Sequence, residues 1–180
     1  MKTLVKLPYI LGLSTLFVTS ISCEEKKTAP QTKTVVKTGF KQFHNYKVKP
    51  LNDANLQRIK HWKEFKDLQE FLAVYNKISA REALDNALEL KSLTKMAKDS
   101  NRIDALQTRA FKARINVFEN EVLRLVDMTY IPAISSGEVN KQISAVVNTY
   151  NSMASKIEHT YKKQDLDKTV KLDSVFNRMQ

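Results

Sequence analysis

From Leu51 to Gln180 the chain holds one glycine, Gly137, and one proline, Pro132. Tight turns and strand ends draw on both residue types. A stretch of this length with so few of them can be folded economically only as long helices joined by short connections. The apolar residues agree with that constraint. Leu56, Ile59, Trp62, Phe65, Leu68, Leu72, Tyr75 and Ile78 recur at spacings of three and four, which gathers them toward one helical face.

The same reading places four helices. Asn52 and Asp53 follow Pro50 and can cap a first helix over 53–78. Ser79 and Glu82 have the spacing of a capping box. They open a second helix over 80–98, in which Ala83, Leu84, Ala87, Leu88, Leu90 and Met96 follow as its apolar residues. Asp99-Ser100-Asn101 breaks the pattern. A third helix then runs over 102–130, with Ile103, Leu106, Ala110, Phe111, Ile115, Phe118, Val122, Leu125 and Val126 facing the core, and Pro132 ends it. Ser135 and Glu138 precede a fourth helix over 137–162. In it Val139, Ile143, Val146, Tyr150, Met153, Ile157 and Thr160 form a heptad seam. Residues 164–180 form a tail that includes Val170, Leu172 and Phe176, enough for a short docked helix.

Segments of these lengths span about 28–44 Å. Short connectors between them favour an all-α, antiparallel, up-down-up-down four-helix bundle over 51–163. Ser79 alone is a thin turn. If it fails to turn the chain, the first two helices become one kinked helix and the bundle has three members.

The N-terminal fifty residues read differently. Lys2 and Lys6 precede an uncharged, mainly apolar run, LPYILGLSTLFVTSIS, that ends at Ser22. This run is shorter than the roughly 20 apolar residues of a membrane-spanning helix and is interrupted by Pro8 and Gly12, as in a signal peptide over 1–22. The chain's one cysteine, Cys23, comes next, and EEKKTAPQTK follows it. Ser20, Ser22 and Cys23 resemble the lipobox of bacterial lipoproteins. Ser20 stands where that family usually has Leu, Val or Ile, as in the looser boxes of Bacteroidetes-type lipoproteins. The resemblance implies that Cys23 receives a diacylglyceryl group on its thiol and becomes the mature N-terminus. The same small residues also suit an ordinary secretory signal cut after Ser22, and an uncleaved anchor is the third reading.

Residues 23–50 form the expected tether. They carry seven lysines against Glu24 and Glu25, or +5 of the chain's formal +11; residues 51–180 carry 21 basic and 17 acidic groups. The positive excess is thus concentrated outside the helical part, which argues against a nucleic-acid footprint. Lys26, Lys27, Lys33, Lys37, Lys41, Lys47 and Lys49 either attract anionic head groups or line a solvated spacer. Few large apolar residues stand in 24–38, so disorder is expected there. The aromatic residues within 39–48 are enough to dock on the helical part. Glu24 and Glu25 also resemble the acidic signal that sends some Bacteroidetes lipoproteins to the cell surface.

No residue pattern carries catalysis. A single cysteine excludes both an internal disulfide and a C-x-x-C-H haem site, and no Glu-x-x-His pair occurs for a di-iron bundle. His44 lies in the tether, while His61 and His159 flank the apolar seams. His61 and Glu64 form an i, i+3 pair, and two ligands do not make a metal site. No glycine elbow or phosphate-cradling loop is present. The expectation is therefore no enzyme, no cofactor and no metal.

The stretches KHWKEFKDLQEFL (60–72), RINVFENEVLRL (114–125) and VVNTYNSMASKI (146–157) resemble helical lipoproteins of flavobacteria, some of which carry the label "viral A-type inclusion protein". The resemblance spans about residues 50–163 and implies an envelope location without a known activity. The combined expectation is a lipid-anchored cell-envelope module, on the outer rather than the inner membrane, with a protein partner and no nucleic acid. The rival is a periplasmic bundle that senses a small ligand or metal, with a cavity lined by Tyr75, Phe111, Met153 or neighbours, or a polar pocket reaching His61.

Overall fold

The computed structural model describes residues 39–169. The signal peptide expected over 1–22, Cys23, residues 24–38 and the tail beyond Thr169 lie outside them. The described part is mostly helical, with six α-helices and one small sheet. In order these are β1 (Phe43–Asn45), α1 (Asp53–Arg58), α2 (Lys63–Leu72), a 3-10 turn (Ala73–Asn76), β2 (Lys77–Ser79), α3 (Ala80–Asp85), α4 (Ala87–Ser100), a second 3-10 turn (Asp104–Leu106), α5 (Arg109–Met128) and α6 (Ser136–Thr169).

The single helix expected over 53–78 is two helices, a 3-10 turn and a strand. The reason lies in its spacing. Leu56, Ile59, Trp62, Phe65 and Leu68 are each three residues apart. A continuous helix turns about 100° per residue, so each step of three falls about 60° short of a full turn and the set would drift about 240° around the axis. The chain instead leaves the helix at Ile59 and restarts after Trp62, whose φ of −104° and ψ of 69° are non-helical. That break resets the phase, and Ile59, Trp62, Phe65, Leu68, Leu72, Tyr75 and Ile78 are all buried. The expected apolar face was right; the helix carrying it was not continuous.

The all-α expectation also needs correction for the sheet. β1 and β2 pair antiparallel, with Phe43 opposite Ser79, His44 opposite Ile78 and Asn45 opposite Lys77. The docking expected of residues 39–48 thus takes the form, in part, of strand pairing.

Ser79 ends β2 and caps α3. Its hydroxyl accepts from Glu82 N at 3.3 Å, and the Glu82 carboxylate accepts from Ser79 N at 3.1 Å. The helix expected over 80–98 is interrupted at Asn86 and extends to Ser100. Ala80, Ala83 and Ala87 are fully buried, and side chains this small let neighbouring backbones come close. Two apolar residues of the expected helix stay outside the core. Leu88 and Met96 are 58% and 46% exposed, and Thr94 and Ala97 are buried instead.

The third helix starts at Arg109, not 102. Asn101 accepts from Ile103 N at 3.0 Å through its side chain, while its carbonyl receives the Gln107 side-chain amide at 3.0 Å. Such local bonds compete with helix formation. Thr108 then caps α5, accepting from Phe111 N at 3.2 Å. Ala110, assigned inward, is exposed; the other seven assigned positions from Leu106 to Val126 are buried.

The second capping box is present as expected. Glu138 N donates to Ser135 Oγ at 3.2 Å, and Ser135 N to the Glu138 carboxylate at 2.9 Å. The helix it opens outruns its expected end at 162 and continues through solvent-facing residues to Thr169.

An aromatic chain ties these elements together. Trp62 lies 4.6 Å from Phe65 and 5.9 Å, edge-on, from Phe111; Tyr150 lies 6.2 Å from Phe65 and 6.0 Å from Phe118. Each such pair adds about 0.5–1.5 kcal/mol beyond area burial. The Trp62 indole N–H donates to Ala97 O at 2.8 Å, which joins α4 to the same cluster.

Ser79→Ala removes one side of the capping box and should cost about 1 kcal/mol in urea unfolding, with Ser79→Asp retaining most of it. Leu68→Ala, at a fully buried site, should cost about 2–5 kcal/mol. Glu138 supplies a pH test. Its carboxyl is held below the ordinary carboxylate range, first by the Ser135 hydroxyl and then by the Ser135 backbone N–H. A lowered folded-state value stabilises above the ordinary range, and that stabilisation is lost as pH falls through the lowered value. Glu138→Gln should therefore lower Tm near pH 7, and its gap from the parent protein should close as pH falls below the ordinary carboxylate range.

Candidate functional site

Residues 40–51 form a strap laid along α6. Arg81 N donates to Phe40 O at 2.9 Å, and β1 pairs with β2 just beyond. Tyr46 N donates to Asn76 O at 2.9 Å, and Val48 N to the Asn76 side-chain carbonyl at 3.0 Å. Asn151 on α6 grips the next turn of chain from both sides. Its amide nitrogen donates to Lys47 O and its carbonyl accepts from Lys49 N, each at 2.7 Å. Lys49 Nζ lies 2.6 Å from Glu158.

The strap ends on a polar hub. Gln69 Oε1 accepts from Leu51 N at 2.9 Å and from Tyr150 Oη at 3.2 Å. One amide oxygen thus joins strap, α2 and α6. Further on, Arg58 reaches α6 again, 2.7 Å from Asp165 and 5.1 Å from the centre of the Tyr161 ring. The order of these contacts shows that the strap runs in the same direction as α6.

Gly39, where the described chain starts, abuts the first residue of α6. A Cβ on it would stand 2.8 Å from Ser136 Oγ, and its φ is +117°. Beside it opens a cleft of about 440 Å3. Phe40 from the strap, Leu84 from α3 and Met128 from α5 contribute apolar surface. Ile131, Pro132 and Ile134 add more from the connection between α5 and α6, with Lys41 and Arg81 also in the lining. In that connection Tyr130 is 71% exposed and Ile131 47%. Sequence reasoning used this segment only for its proline. The available signal was composition: Tyr-Ile-Pro-Ala-Ile is apolar where a connector is ordinarily polar.

The histidines remain apart. His44 is half-buried in β1, His61 is exposed ahead of α2 and His159 is exposed on α6. The Glu64 carboxyl is held below its ordinary range by its own backbone N–H, then by the Ser100 hydroxyl and Lys63. Among the described residues no group of three or more His, Cys, Asp or Glu side chains is placed to hold a metal ion. Of the residues expected to line a ligand cavity, Phe111 reaches a surface cleft of about 380 Å3 with Lys98, Arg102 and Lys112. Tyr75 is fully buried, its hydroxyl has no hydrogen-bond partner among the described residues, and burial pushes its ionisation well above the usual phenol range.

No protein-family model, curated protein or solved structure matches the chain.

The strap gives two measurable expectations. Gln69→Leu leaves Leu51 N and Tyr150 Oη without their acceptor and should cost about 1–3 kcal/mol. Asn151→Ala should speed amide hydrogen exchange at Lys49 far more than at the α5 core amides, at a cost near 1 kcal/mol in unfolding.

Proposed function

We propose that this chain is a lipid-anchored lipoprotein of the bacterial cell envelope, and that its helical body is a non-catalytic interaction or structural module. The observation that carries this reading is the placement of the one cysteine. Cys23 stands where a short uncharged apolar run gives way to a charged, polar stretch. The small residues before it and the lysines at the start of the chain complete the resemblance to a lipobox leader. An acylated Cys23 would anchor the chain durably, because each buried methylene adds about 0.8 kcal/mol and two or more chains hold far better than one. That no helix among the described residues is long and apolar enough to cross a membrane is compatible with such an anchor. The resemblance to flavobacterial helical lipoproteins favours the outer membrane, with an envelope protein as partner.

For the body itself we favour four antiparallel columns: α2 with its 3-10 turn, α3 with α4, α5, and α6. Several contacts support that order. Trp62, just before α2, meets Ala97 near the end of α4; Lys98 near that end meets Glu119 of α5 at 2.6 Å; Gln142 early in α6 donates to Glu121 O of α5 at 2.7 Å.

Mass spectrometry of protein purified from its native membranes should find an acylated Cys23 at the mature N-terminus. An unmodified thiol there, with the protein in the soluble fraction, would overturn the reading. Crosslinking in intact envelopes should recover one defined envelope protein reproducibly, and its consistent absence would count against an interaction role.

A further inference from the structure

We propose that the apolar cleft beside Gly39 seats on the surface of a phospholipid bilayer bearing anionic head groups, so that the body stands on the membrane by this end. The inference rests on the lipid-anchor reading of Cys23 and goes beyond it, since an anchor alone does not orient the body.

Three observations converge on this surface. The first is connectivity. Gly39 is the first described residue on the Cys23 side, and Phe40 and Lys41 directly after it line the cleft. Sixteen peptide links separate Cys23 from Gly39, a reach of about 55 Å at full extension. A connection of that length permits contact without enforcing it, and holds the surface at an effective concentration of about millimolar. Even weak docking is then populated.

The second is chemistry. Ile131, 47% exposed, lines the cleft with Pro132 and Ile134, and Tyr130, 71% exposed, directly precedes it in the chain without lining the cleft. A tyrosine with an apolar ring and a polar tip, beside aliphatic side chains, is the residue set favoured where hydrocarbon meets head groups. The third is charge. The charged residues lining the cleft are Lys41 and Arg81, with no carboxylate among the lining. Arg81 lies 3.0 Å from Asp85, so Lys41 is the freer cation of the two. Anionic head groups complement these two cations within a Debye length.

The test uses the cysteine inventory. An acylated Cys23 has no free thiol, so Tyr130→Cys adds the single labelling site of the mature protein. Leu166→Cys, also at an exposed position, adds one about 45 Å along α6 from Ser136. Each variant is labelled with an environment-sensitive nitrobenzoxadiazole dye and reconstituted into vesicles of phosphatidylethanolamine and phosphatidylglycerol. The expected result is blue-shifted emission at position 130 that is quenched by lipids brominated in their acyl chains, with no quenching at 166. Replacing phosphatidylglycerol with phosphatidylcholine, or Lys41 with Glu, should weaken the quenching.

Water-exposed emission at both positions would overturn the proposal. So would a label at 130 that is shielded from water yet untouched by brominated lipid, because the occupant would then be protein: residues 24–38, a second copy or a partner. Failure of the anchor reading shows up separately, as two dyes per chain instead of one. The same measurement in a Cys23→Ser background with added vesicles then decides the docking by itself.

Discussion

Trp62 is held at both of its chemical ends. Its ring packs on Phe65 and Phe111, and its indole N–H donates to the carbonyl of Ala97. A buried indole without an acceptor would leave a donor stripped of water, at a cost of about 1–3 kcal/mol. With the acceptor in place, the start of α2 is fixed against the end of α4. The position of α2 then decides where Gln69 sits, and Gln69 decides where the strap can end. The polar hub at Leu51 and Tyr150 is available only because the aromatic chain from Trp62 through Phe65 to Tyr150 has already set α2 against α6. The polar hub at the end of the strap therefore depends on an apolar contact between α2 and α6.

Much of the helical part was legible in the sequence. The capping boxes at Ser79 and Ser135 rely on two side chains three residues apart, so local sequence suffices to find them, and both are present. The apolar seam of α6 was equally readable, because its steps of four and three compensate one another and stay on one face. The uniform steps of three from Leu56 to Leu68 carried the opposite message, a broken helix, in the same alphabet. The exposure of Leu88 and Met96 had no local signal. Which face of α4 is covered depends on where α2 and α5 lie, and a close approach over small residues favours alanine over leucine there.

The strap shows the other limit. Aromatic residues in 39–48 signalled docking, but the pairing of β1 with a strand 34 residues further on depended on Lys77–Ser79 being extended, and the periodicity had absorbed those residues into a helix. Asn76 and Asn151, and Asn140, which accepts from the Tyr46 hydroxyl at 3.3 Å, carry no local signal in the sequence. Their amides bond to chain that is 28 to 104 residues away in sequence, which no spacing rule reaches. The cleft beside Gly39 was hidden for a similar reason: its lining comes from three stretches far apart in sequence, around Phe40, Leu84 and Ile131, brought together only by the fold.

The common direction of strap and α6 has a mechanical consequence. Tension on the chain ahead of Gly39, applied along the α6 axis, would load the strap in shear. The bonds to Asn76, Asn151, Glu158 and Gln69 would then share the force and resist as a set. Tension at a right angle would instead unzip them one after another from Phe40 onward. The molecule is thus built to bear an axial tug more firmly than a sideways one, with Leu51 as the last tie before the helices themselves take the strain.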